Sequence, residues 1–212
     1  MEASELTEEQ KRIIRASSLC QEQLAKILDD RDLEKIEQCY LELNMVEFNL
    51  GEAIEAVLFQ TMDLSRKRQV PVVHDSPTEV SVLYLYGDNL RLQQVLSDFL
   101  LNALLFTPEA EGSVVIRIIP MKKNIGSGLQ IVHLEIRIIH PPPGIPESLV
   151  QEMFHQSPGV SKEGLGLYIS QNLVKIMNGT VQYLRAAKSS SFIILLSSHA
   201  AVALALDRVK YL

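Results

Sequence analysis

Between Glu5 and about Ile36 the chain is charged, lacks glycine and proline, and spaces Ile13, Ala16, Cys20, Leu24 and Ile27 by threes and fours. That period predicts one long amphipathic helix. Its apolar stripe is narrow, as in a seam between helices rather than a cover over a sheet. Two ways of burying the stripe stay open: a dimeric bundle, or a helix folded back on its own domain.

Beyond Asn44 the pattern changes. A helix-like run opens at Asn49-Leu50-Gly51 and reaches about Leu64, and Val70–His74 and Val80–Tyr86 read as strands separated by Asp75-Ser76-Pro77. Asp88 has the side chain of an N-cap for a helix over Asn89–Leu105, whose apolar stripe is Leu92, Val95, Leu96, Phe99, Leu100 and Ala103. Val114, Ile116 and Ile118 then alternate with Val115, Arg117 and Ile119. Val132, Leu134, Ile136 and Ile138 alternate with His133, Glu135 and Arg137. A period of two over that length predicts a sheet covered on one face and wet on the other, antiparallel or mixed. Pro146 and Glu147 start a short helix to about Phe154, a longer one runs from Leu165 to Asn178 with Gly179 as its C-cap, and Val181–Arg185 with Phe192–Leu196 suggest a closing hairpin. The order predicts an α+β domain with helices layered on one mixed sheet.

Composition narrows the functional classes. The 212 residues carry a net charge of −6 and are 47% hydrophobic and 22% charged, an ordinary globular make-up with no basic stripe for nucleic acid. The sequence shows no secretory leader and no apolar run long enough for a membrane span, so a cytosolic or nuclear home is expected. Cys20 and Cys39 are too few for a disulfide framework or a zinc site, and buried free thiols are expected.

Two features could carry chemistry. On the helix after Asp88, the face opposite the apolar stripe bears Gln94, Asp98 and Asn102 at steps of four, which would suit a metal with phosphates or simply water. Gly164-Leu165-Gly166-Leu167 sits at the mouth of a helix, where backbone amides and the helix dipole favour an anion, or where the chain only needs a tight junction. The five histidines, His74, His133, His140, His155 and His199, form no set with a nucleophile or metal ligands, so a hydrolase or metalloenzyme has no support.

Taken in order, Asp88, Leu92 to Pro108, Gly144-Ile145-Pro146-Glu147, Phe154 and Glu163-Gly164-Leu165-Gly166-Leu167 resemble the ATP-binding domain of sensor histidine kinases, of the Bergerat type shared with gyrase-like ATPases. Tyr86-Gly87-Asp88, Arg91 to Leu96, Met153-Phe154 and Met177 to Arg185 resemble more narrowly the C-terminal histidine-kinase-related region of plant phytochromes. The resemblance implies a two-layer α/β sandwich with a mixed sheet over residues 39–196. One helix of a dimerisation bundle would precede it over 1–38, and 197–212 would form an unrecognised tail. In active relatives the second Asn of the asparagine motif binds magnesium, which matches Asn102; the first matches Asp98.

The departures from that pattern are as informative. The Lys that follows the asparagine motif aligns with Leu105. The first glycine motif, Asp-x-Gly-x-Gly, has become His140-Pro141-Pro142-Pro143-Gly144, which removes the carboxylate that meets the adenine amino group and puts proline, without an N–H, at the first glycine. One lost charge-assisted hydrogen bond is worth about 1.5–3 kcal/mol, roughly ten- to a hundredfold in affinity. The second motif reads Lys162-Glu163-Gly164-Leu165-Gly166, one glycine short and with a carboxylate near the phosphate position. No histidine lies on the first helix to accept phosphate.

The resemblance therefore implies a signalling output and dimerisation module of a red/far-red photoreceptor. Asp98, Asn102, Gly144, Gly164 and Gly166 would be the remnants of its nucleotide site, with Asn102 the magnesium ligand if nucleotide binds. The rival reading is a light-regulated kinase that still uses Mg-ATP. No cofactor is expected to reside in this chain; a bilin would belong to a photosensory region outside it. The partners implied are a second copy through the N-terminal helix and signalling proteins, with neither nucleic acid nor membrane.

Overall fold

The computed structural model describes residues 31–125, 129–155 and 161–200. The chain divides into two compact units, Met1–Leu41 and Glu42–Leu212. Of the first, a helix α1 is described over 31–37. The seam from Ile13 to Ile27 lies outside the described residues, as do Cys20 and residues 201–212. Cys39 is exposed, with φ 56°, and not the buried thiol expected from its neighbours.

The second unit runs β1 (Val46–Asn49), α2 (Leu50–Arg68), β2 (Val72–Asp75), a 3-10 turn (Thr78–Val82), β3 (Tyr84–Gly87), α3 (Asn89–Leu105), β4 (Val114–Ile125), β5 (Leu129–His140), α4 (Glu147–Phe154), α5 (Lys162–Ile176), β6 (Thr180–Arg185) and β7 (Ser190–Ala200). Its sheet has the order β1-β3-β7-β5-β4-β2, with β6 also paired to β7. Only β2 and β4 pair in parallel; the other pairings are antiparallel, so the sheet is mixed. The two-layer α+β architecture is the one the hydrophobic pattern predicts.

Alternation decides the layering. Val114, Ile116 and Ile118 on β4 and Val132, Leu134, Ile136 and Ile138 on β5 are at most 2% exposed and face the helices. The intervening residues face outward and pair in the plane of the sheet: Arg117 Nε to Asp75 Oδ2 at 2.6 Å, Arg137 to Glu135, and His133 Nδ1 to Ser197 Oγ at 2.8 Å.

Several boundaries differ from the sequence reading, among them the end of β7, which runs to Ala200 and takes in the first four residues of the stretch read as a tail. Val80–Val82 belongs to the 3-10 turn rather than to a strand. Strand β1 was not foreseen; it is four residues long and gains its pairing only from β3. Helix α5 starts at Lys162, three residues earlier than expected, because Ser161 caps it. At its other end Asn178, not Gly179, takes the left-handed conformation, with φ 58°. Gly179 is there for closeness, since a Cβ would run into the Leu195 carbonyl and the Leu196 side chain.

Candidate nucleotide site

Three walls carry the residues singled out by sequence. The first is α3. Asp88 caps it, its Oδ1 accepting from the Arg91 amide at 3.0 Å, while Oδ2 accepts from the Asn44 amide at 2.8 Å and ties down the incoming chain. The apolar stripe is buried as expected, Leu92 to Ala103 being at most 4% exposed at its core positions. The polar row is not a simple wet face. Asp98 Oδ2 accepts from Ser170 Oγ at 2.5 Å, which registers α3 on α5. Asn102 is 8% exposed; its Nδ2 donates to the Asp98 carbonyl at 2.9 Å, and its Oδ1 is buried with no hydrogen-bond partner among the described residues. A buried acceptor left unpaired costs about 1–3 kcal/mol. Gln171 Oε1 on α5 is in the same state. Leu105, in place of the phosphate-side lysine, is 37% exposed.

The second wall is the start of α5. Because the helix begins at Lys162, Gly164 as well as Gly166 lies in its first turns, where the sequence placed Gly164 just before it. Ser161 Oγ accepts from the Gly164 amide at 3.0 Å. Glu152 on α4 reaches across, and its Oε2 accepts from Ser161 Oγ at 2.6 Å and from the Ser161 amide at 3.3 Å. The carboxylate lies so close over Gly164 that a Cβ there would overlap it. A Cβ at Gly166 would meet nothing within 4 Å. The carboxylate at the mouth of this helix is thus that of Glu152, where the sequence pointed to Glu163.

The third wall is the end of β5. His140 is 1% exposed and lies among aromatic rings, 6.0 Å from the centroids of both Tyr183 and Phe192. Phe192 continues the cluster to Phe99 on α3 at 4.8 Å. Burial lowers the His140 pKa to about 4, so the ring is neutral at pH 7, and its Nδ1 has no hydrogen-bond partner among the described residues. Gly144 has φ +85° and abuts the Tyr183 hydroxyl and Ser190, where any side chain would overlap. The next amide, Ile145 N–H, donates to Tyr183 Oη at 2.8 Å. Gly144 is therefore explained by packing against β6 and β7.

The structure brings Asp98 and Asn102 together on α3 and links them through Ser170 to the helix that carries Gly164 and Gly166. Gly144 makes its contacts elsewhere. A pocket of about 170 Å³ lies toward the other end of β5 and β7, lined by Met45, Phe48, Asp88, Leu134, Met177 and Leu196 among others, and none of the five candidate residues lines it. Sequence reasoning missed Glu152, Ser161, Ser170 and Tyr183. Ser161 carried a signal, a serine immediately before a helix; the others meet their partners only through the fold.

Residues 87–200 match the family model of histidine kinase-, DNA gyrase B- and HSP90-like ATPases. The chain belongs to that family. It is 61% identical over 196 residues to phytochrome C of Sorghum bicolor and 52% identical over 198 residues to phytochrome C of Arabidopsis thaliana, each alignment covering 92% of this chain. It spans only 17% of the Sorghum protein and 18% of the Arabidopsis one. Among solved structures, it is similar to the Acinetobacter baumannii histidine kinase AdeS (TM-score 0.63, 21% identity, 92% of this chain and 86% of that one). It is also similar to full-length ShkA in complex with AMPPNP (TM-score 0.66, 21% identity, 94% of this chain and 41% of that one). At that identity the likeness speaks for the histidine kinase ATPase fold. The chain is thus a phytochrome-related member of the family.

Proposed function

We propose that this chain is the histidine-kinase-derived output module of a red/far-red photoreceptor, in which the ATPase fold is kept for dimerisation and partner contact while the nucleotide site has degenerated. The observation that carries the reading is the state of the α5 N-terminus. Its Gly164 amide is held by Ser161, and Ser161 in turn by the Glu152 carboxylate, so an anion already stands at the helix mouth. At the purine side, a neutral buried imidazole and three prolines replace a carboxylate and a glycine. On these grounds the residues present do not fit Mg-ATP, and no phosphoryl transfer is derived from them.

One observation favours the rival, a Mg-ATP-dependent kinase. The unpaired Oδ1 of Asn102 is the kind of oxygen a magnesium ion would take. A melting experiment separates the two. A ligand at a hundred times its Kd that binds only the folded state adds about 2.7 kcal/mol, which is several degrees for a domain of this size. The proposal expects no shift with millimolar Mg-ADP. A shift that Asn102→Ala abolishes would establish the kinase reading instead.

The dimer belongs to the proposal as well. A signal arriving through the N-terminal helix would change the population of arrangements that partner signalling proteins can bind, in the cytoplasm or the nucleus. Sedimentation at micromolar concentration should show self-association weakened by Ile13→Asp; a monomer at every concentration would remove dimerisation from the role of this chain.

A further inference from the structure

We propose that Glu152 is a tethered anion that shuts the mouth of α5 against phosphate groups, an autoinhibitory contact supplied by α4. The inference deepens the degenerate-site reading and rests on it. Three features set this carboxylate apart from an incidental cap. First, one oxygen accepts from both the amide and the hydroxyl of the N-cap residue, at 3.3 and 2.6 Å, a pair of donors that an inorganic or nucleotide phosphate oxygen would otherwise use. Second, the absence of a side chain at Gly164 is what admits it: the Glu152 carboxyl and Cβ fill the space that a Cβ on residue 164 would need.

Third, α4 is held in place by contacts that do not involve Glu152. Leu149 and Met153 are buried, and Arg185 on β6 binds Glu147 Oε2 at 2.5 Å and the Ile145 carbonyl. The helix therefore delivers its carboxylate from an anchored position. Independently of these bonds, α3 retains Asn102 Oδ1, on a residue 8% exposed, without a hydrogen-bond partner among the described residues. An oxygen of the kind a metal takes thus stays unpaired on α3, the helix that Ser170 ties to α5, while a carboxylate stands at the start of α5.

The test removes the carboxylate in two ways, by Glu152→Ala and by Glu152→Ser, neither of which leaves a side chain long enough to reach over Gly164. Melting points are compared in 50 mM sodium phosphate and in sodium chloride of equal ionic strength. The wild type serves as control for the general stabilising action of phosphate. Both variants should gain about 3 °C more from phosphate than the wild type does. Gains equal to the wild type's would overturn the proposal, and if Glu152→Ala fails to fold, Glu152→Ser decides alone. The two readings fail differently. A wild-type shift with Mg-ADP sinks the degenerate site, whereas equal phosphate responses without that shift sink only the Glu152 contact.

Discussion

His140 shows what one substitution does at several levels. Its ring is packed between Tyr183 and Phe192, and burial lowers its pKa from 6.5 to about 4. Between those values the unfolded chain binds a proton that the folded chain refuses. Stability is therefore complete above pH 6.5 and is lost as the pH falls toward 4, the loss from this group reaching about 2 kcal/mol at pH 5. Urea unfolding at pH 7.5 and pH 5.0 should show that decline in the wild type, and a smaller one in His140→Phe. Gly144 makes a second prediction. With φ +85° and no room beside the Tyr183 hydroxyl, Gly144→Ala should lower the unfolding free energy by about 2 kcal/mol or more, read from the denaturation midpoint. The sequence suggested Gly144 as a remnant of a ligand site and His140 as a departure from one. Only the fold shows that β6 and β7 now close over them, because Tyr183 and Ser190 are some forty residues further along the chain.

At the scale of elements, local signals were read well where they were complete. Asp88 followed by an uninterrupted apolar period gave α3 its ends, and the structure has that helix at Asn89–Leu105 with Asp88 as its cap. Asp88→Ala should cost about 1–2 kcal/mol. It also frees the Asn44 amide, so hydrogen exchange there should quicken along with that of Arg91. Signals that depend on distant partners were not legible. Four residues with the mixed polarity of Val46-Glu47-Phe48-Asn49 become a strand only because β3 offers an edge. Val80 to Val82 looked like a strand because β-branched residues suit one, but Ser81 Oγ bonds back to the Thr78 carbonyl at 2.7 Å within a 3-10 turn. The start of α5 mattered most, since a shift of three residues moved Gly164 into the helix and gave its amide to Ser161.

At the scale of the molecule, the two-layer sandwich needs no nucleotide to complete its core. The aromatic chain from Phe99 through Phe192 to Tyr183 and His140 joins α3 to the sheet, and Glu152 joins α4 to the start of α5. Under the proposed function, a fold joined in this way would keep its surfaces with or without ATP. The most direct test is a calorimetric titration of the purified chain with Mg-ATP into the millimolar range. The account predicts no saturable heat. A saturating one-site isotherm that disappears in Asn102→Ala would contradict it.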